Sequence, residues 1–114
     1  MKKIEIEKMN NKQLEYAFLK LSNTLLNNNT VFLKTSQKLF FVYSFKKLDI
    51  LNNLEVIKDI LVEKNFIINI IEENNLFFVT HKKNTATANK ESIALIKCYL
   101  HANTNGHFEF PENF

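Results

Sequence analysis

The 114-residue chain contains no arginine and no tryptophan, and it has one glycine, one proline and one cysteine. Without arginine there is no planar guanidinium fork to grip phosphates or guanine edges by two bonds at once. A single glycine excludes the glycine-rich phosphate loops of Walker or Rossmann type. A single cysteine excludes an internal disulfide framework and fits a reducing compartment. No apolar run approaches the roughly 20 residues that cross a bilayer, and the N-terminus carries no signal-peptide apolar segment. A cytoplasmic protein without a membrane partner is the expectation.

What is present argues for a packed core. Hydrophobic residues make up 46% of the chain and include eleven phenylalanines, which separates it from a disordered segment. No repeat or linker composition divides the chain, so residues 1–114 read as one domain. All fifteen basic residues are lysine, and they are scattered, giving a net charge of +3. With the abundance of asparagine and isoleucine, this composition points to an AT-rich genome.

The central stretch, 48–80, reads as an amphipathic helix followed by an apolar hairpin. Asp49 is placed to cap the helix, and Ile50, Leu54, Ile57 and Leu61 fall on one stripe. Lys64 and Asn65 suit its C-terminus. The strand that follows alternates Phe66, Ile68 and Ile70 against Ile67, Asn69 and Ile71, so both faces are mostly apolar. That pattern predicts a central strand covered on both sides. "EENN" at 72–75 supplies the turn, and Leu76 to Thr80 returns.

Around this unit, residues 2–9 alternate as a half-buried strand, and Asn10 or Asn11 caps a helix over about 12–26. Residues 31–34 and 38–45 form a second hairpin around "TSQ". Asn89 is placed to cap a third helix over about 90–102, and Phe108 and Phe110 suit a short terminal strand. The apolar arc of the third helix spans almost half its circumference, which suggests a helix wedged between two layers or a homodimer contact. The fold class is therefore α+β: a mainly antiparallel sheet of five or six strands with three packed helices.

Candidate chemistry is sparse. Cys98 and His101 are spaced i, i+3 and His107 follows, but a structural zinc site needs four ligands in paired short spacings. No metal and no cofactor are expected. Nothing at these spacings would lower the thiol pKa or orient a base, so no catalytic residue is assigned and the chain reads as a non-enzyme. Lys46, Lys47, Lys82 and Lys83 flank aromatic strands. Gathered at one sheet end they would make phosphate contacts; apart, they are solvated lysines that blunt sheet edges. Tyr16 and Leu19 lie off the stripe of the first helix, and Leu95 and Tyr99 widen that of the third. These four are the candidate contact residues for a protein partner, with added core layers as the plainer reading.

The stretch "YSFKKLDILNNLEVIKDILVEKNFIINIIEENNLFFVTHKK", followed by "SIALIKCYLHA", resembles the phage ABA sandwich domain family. "VIKDILVEKNF" and "SIALIKCYL" stand where that family carries its helix-to-strand junction and its last helix, with Lys97 where an arginine is common. The ending "GHFEFPENF" is similar to the tails of a neighbouring phage family. The family's tryptophans and helix-opening proline are missing here, and Ser92 stands near the place of that proline. The resemblance implies a phage-encoded α+β sandwich in the host cytoplasm. With no catalytic motif, it implies a small binding protein that inhibits a host defence protein, as anti-CRISPR proteins do. The alternatives are a sponge for a signalling nucleotide and a nucleic-acid-binding accessory protein without sequence specificity.

Overall fold

A computed structural model describes residues 2–26, 30–34, 40–112 and 114. In chain order the elements are β1 (Lys2–Glu5), a 3-10 turn (Ile6–Lys8), α1 (Asn11–Leu21), β2 (Leu25–Leu26), β3 (Thr30–Lys34) and β4 (Phe40–Ser44). Two further 3-10 turns (Phe45–Lys47 and Ile50–Asn52) lead to α2 (Leu54–Glu63). Then come β5 (Asn69–Glu73), β6 (Leu76–His81), β7 (Asn84–Ala88), α3 (Glu91–Asn103) and β8 (His107–Phe110). The fold is α+β, with three α-helices and only antiparallel strand pairs among the described residues. Six strands form two three-stranded sheets, β2-β3-β4 and β5-β6-β7, and β1 pairs with β8 in a separate ribbon. No helix among the described residues is long and apolar enough to cross a membrane.

Asparagine takes the place of the missing glycines. α1 opens on a capping box, in which Asn10 Oδ1 accepts from the Gln13 amide at 2.8 Å and Gln13 Oε1 accepts from the Asn10 amide at 2.9 Å. It closes with Asn23 at φ 58°, the Asn23 amide on Lys20 O and the Thr24 amide on Leu19 O. α2 closes the same way: Asn65 at φ 55°, its amide on Val62 O and the Phe66 amide on Leu61 O. Both are Schellman ends, which need a left-handed residue just past the helix. Asn74 and Asn75, at φ 55° and 63°, make the two-residue turn that joins β5 to β6.

Several boundaries differ from the sequence reading. α1 ends at Leu21, not 26, because Asn23 turns the chain left-handed and Leu25–Leu26 then pairs with β3. Asp49 does not cap α2: it precedes the 3-10 turn, and its carboxylate accepts from Asn52 Nδ2, while α2 begins at Leu54, behind Asn53. Lys90, not Asn89, holds the N-cap position of α3 and provides no side-chain cap. The second hairpin is formed by β3 and β4, and the turn expected at 35–37 and residues 38 and 39 lie outside the described residues.

The core is centred on α3. Its Ala94, Leu95, Ile96, Cys98, Tyr99 and Leu100 are all buried, between the β6–β7 surface on one side and α1 and α2 on the other. Phe18 of α1 meets Tyr99 edge to face at 5.2 Å, and Phe66 meets the same ring at 5.0 Å. The wide apolar arc of this helix is thus explained by two packed layers within one chain.

One turn carries strain. Lys82 has φ 53° in the two-residue connection between β6 and β7, a left-handed conformation that costs a side-chain-bearing residue about 1–2 kcal/mol. Lys82→Gly should therefore raise stability by about 0.5–1 kcal/mol once the chain entropy of glycine is subtracted. A urea denaturation midpoint lower than wild type would show that this turn does not need a left-handed residue.

Candidate functional site

The four residues expected to form contact faces are core residues. Tyr16 is 3% exposed, and Leu19, Leu95 and Tyr99 are equally enclosed. The reason is that α1 and α3 are each covered on more than one side, so their off-stripe apolar residues have partners within the chain. Burial also pushes the Tyr16 and Tyr99 phenol pKa values above their ordinary value. A contact face made of these four side chains does not exist on the surface of this structure.

The four lysines are exposed, but they belong to different parts of the fold. Lys46 and Lys47 lie in the 3-10 turn after β4, and Lys82 and Lys83 form the turn between β6 and β7. The two pairs follow strands of separate sheets, so the single sheet end that would have gathered them is absent.

Cys98 is buried, and its thiol donates to Asn84 O at 3.7 Å. Burial raises its pKa, opposed in part by a hydrogen bond from the His81 backbone. Its former companion His101 faces Glu7, with Nε2 at 3.9 Å from the carboxylate. Among the described residues no three His, Cys, Asp or Glu side chains are grouped to hold a metal ion.

The distinctive surface lies on the sheet β5-β6-β7. The register pairs Ile70 with Val79, Ile71 with Phe78 and Glu73 with Leu76 across β5 and β6. Val79 is fully buried beneath α3, so odd-numbered side chains of β6 face the core and Leu76, Phe78 and Thr80 face away. On β5, Ile70 and Glu72 therefore share the helix side, and Asn69, Ile71 and Glu73 share the outer side. The outer face carries Ile71, Leu76 and Phe78 as adjacent apolar groups, with Thr85 and Thr87 of β7 beside them. Ile71 is 61% exposed, and Ile67, just ahead of the strand, is 81% exposed. Val62, at the end of α2, is 75% exposed.

This corrects the reading of β5 as a strand covered on both sides. It is an edge strand, and all five of its residues are exposed. Among the described residues, the helix that packs on this sheet, α3, lies on the other side from this outer face. The legible signal was the pair Glu72–Glu73. Adjacent acids put one carboxylate on each face of a strand, which a strand buried on both faces would not tolerate.

The backbone of β5 is equally open. A two-residue turn makes its flanking pair, Glu73 and Leu76, a mutually hydrogen-bonded pair, and the pattern alternates from there. Asn69, Ile71 and Glu73 thus spend their amides and carbonyls on β6, while those of Ile70 and Glu72 point away from the sheet. The matching pattern for β6 and β7 starts at His81 and Asn84. It uses Phe77, Val79 and His81, the β6 residues that β5 leaves over, so the two assignments agree. The segment entering β5 is fixed from the side: His81 Nδ1 and Ile67 O are hydrogen-bonded, and the His81 ring stacks on Phe66 at 3.7 Å. No protein-family model, curated protein or solved structure matches this chain.

Proposed function

We propose that this is a non-catalytic binding protein that works by occupying the surface of another protein, with the outer face and edge of β5-β6-β7 as the contact. The observation that supports it is the exposure of Ile71 and Leu76, neighbours across β5 and β6, and of Ile67 just ahead of the strand, where most large hydrophobic side chains of the described residues are buried. Glu73 borders Ile71 and Leu76 on the outer face, and Glu72 lies beside it along the exposed edge, which gives the contact an acidic rim. The resemblance to small phage proteins makes a host defence protein, such as a CRISPR effector, the partner in this reading, and inhibition by occupancy the mechanism. The lack of arginine, the modest net charge of +3 and the placement of the two lysine pairs on turns of different sheets weigh against a nucleic-acid accessory role.

The test is capture from host lysate, identification of the retained protein by mass spectrometry, and titration of that protein in purified form. Ile67→Lys combined with Ile71→Lys replaces two exposed side chains, so the melting temperature should stay near wild type. Affinity should fall by about tenfold or more, as loss of central apolar contacts does. Undiminished affinity in the double variant, or a nucleic acid as the retained species, would overturn the proposal.

A further inference from the structure

We infer that the β5 edge recognises an extended segment of a partner protein by antiparallel strand addition, and that this segment carries two consecutive basic residues followed by two consecutive apolar ones. The inference rests on the proposed use of this sheet and names the chemistry of its partner. Two independent features lead to it.

The first feature is the backbone. Ile70 and Glu72 present outward amides and carbonyls along an edge that no element of the chain covers among the described residues. Edges of this kind are normally protected by lysine, proline, a bulge or a covering loop. β5 has none of the first three, and its residues are exposed throughout. An incoming strand would satisfy these groups with main-chain hydrogen bonds, the source of affinity in strand addition.

The second feature is charge order. Along β5 the sequence Ile70-Ile71-Glu72-Glu73 puts one apolar and one acidic side chain on each face. A partner strand places one residue opposite each of these in cross-strand contact. Running antiparallel, it would meet Glu73, Glu72, Ile71 and Ile70 in that order. The complementary segment therefore reads basic, basic, apolar, apolar from its N-terminus. None of the ion pairs among the described residues involves Glu72 or Glu73, so both carboxylates are available. A second copy of β5 fits this edge poorly. Antiparallel self-pairing about Ile71 sets Glu72 opposite Ile70 and Glu73 opposite Asn69, so neither carboxylate gains a basic partner. In a chain of net charge +3, concentrated acid on this one edge selects a basic strand over a self-contact.

The experiment is a titration of the full chain, labelled for amide NMR, with the synthetic peptide Thr-Lys-Lys-Val-Val-Thr. Saturation should slow hydrogen exchange at the Ile70 and Glu72 amides and shift resonances along β5. A peptide N-methylated at the second lysine and second valine, the residues facing Glu72 and Ile70, should bind about tenfold or more weakly, because it lacks the donors that the edge requires. A peptide ordered Thr-Lys-Val-Lys-Val-Thr should also bind more weakly. The variant combining Glu72→Lys and Glu73→Lys should exchange its preference for Thr-Glu-Glu-Val-Val-Thr, a gain that misfolding would not produce. Equal binding of the N-methylated peptide, no response along β5, or dimerisation that protects Ile70 and Glu72 without peptide would each overturn the inference. If the peptides fail while Ile67→Lys/Ile71→Lys still abolishes partner capture, strand addition falls and the proposed contact face stands.

Discussion

Tyr16→Ala should destabilise the protein by about 3–5 kcal/mol, the cost of truncating a buried aromatic side chain. The ring lies at the junction of α1, the turn after β4, and the C-terminal segment. It meets Phe45 at 5.6 Å, Phe110 at 5.7 Å, Phe108 at 6.3 Å and Phe114 at 4.7 Å. The Phe45 and Phe108 contacts are edge to face, an arrangement that adds attraction beyond the area buried. Removing the ring leaves a void bordered by elements from opposite ends of the sequence, which can close only by moving β8 against α1. Tyr16→Phe keeps the ring and should cost much less, which separates packing from the hydroxyl. Urea denaturation midpoints for the two variants check this. A wild-type midpoint for Tyr16→Ala would mean that the ring is a surface group and that the C-terminal segment does not pack over α1.

Tyr16 also marks the point at which periodicity stops being informative. The stripe of Leu14, Ala17, Phe18 and Leu21 identifies one buried face of α1, and Phe18 indeed meets α3. The face of Tyr16 is covered by Phe45, Phe108, Phe110 and Phe114, all far away in sequence, and a local window contains no trace of them. α3 was more legible because its arc is continuous: a helix apolar over nearly half its circumference must be covered on more than one side. Asparagines were legible at Asn10, Asn65 and the 74–75 turn, where cap and left-handed preferences agree with the flanking pattern. They misled at Asn89, and Asn23 went unread because Leu25 continues the helical stripe beyond it. The candidate surface suffered from a different ambiguity. Apolar residues on both faces of β5 are equally consistent with double burial and with an open binding edge, and only the neighbouring acids separate the two.

Glu15→Ala should cost about 2–4 kcal/mol, because it removes the acceptor of a buried amide and the partner of a half-buried ammonium. The Glu15 side chain is 4% exposed. Its Oε2 accepts from the Leu51 amide at 3.1 Å, and its Oε1 lies 3.2 Å from Lys12 Nζ. Lys12 also donates to Phe45 O at 3.0 Å and Leu48 O at 2.7 Å, and it sits 4.6 Å from the centre of the Phe45 ring. One i, i+3 pair on α1 thereby fixes the whole passage from Phe45 to Leu51. This matters because the Ile50–Asn52 turn has no side-chain cap of its own, and Glu15 satisfies its orphan amide from another element. Ile50 and Leu51 are buried in consequence, and α2 begins from a fixed position. Glu15→Gln retains an acceptor for Leu51 but loses the charge, so it should cost less than the alanine variant. Lys12→Met should lose part of the same energy, and the double variant with Glu15→Ala should cost less than the sum of the two, since neither partner is then left alone. Strictly additive denaturation free energies would show that Lys12 and Glu15 act independently. A Glu15→Ala variant within about 0.5 kcal/mol of wild type, the range of ordinary surface substitutions, would show that the passage from Phe45 to Leu51 is held by its apolar side chains alone.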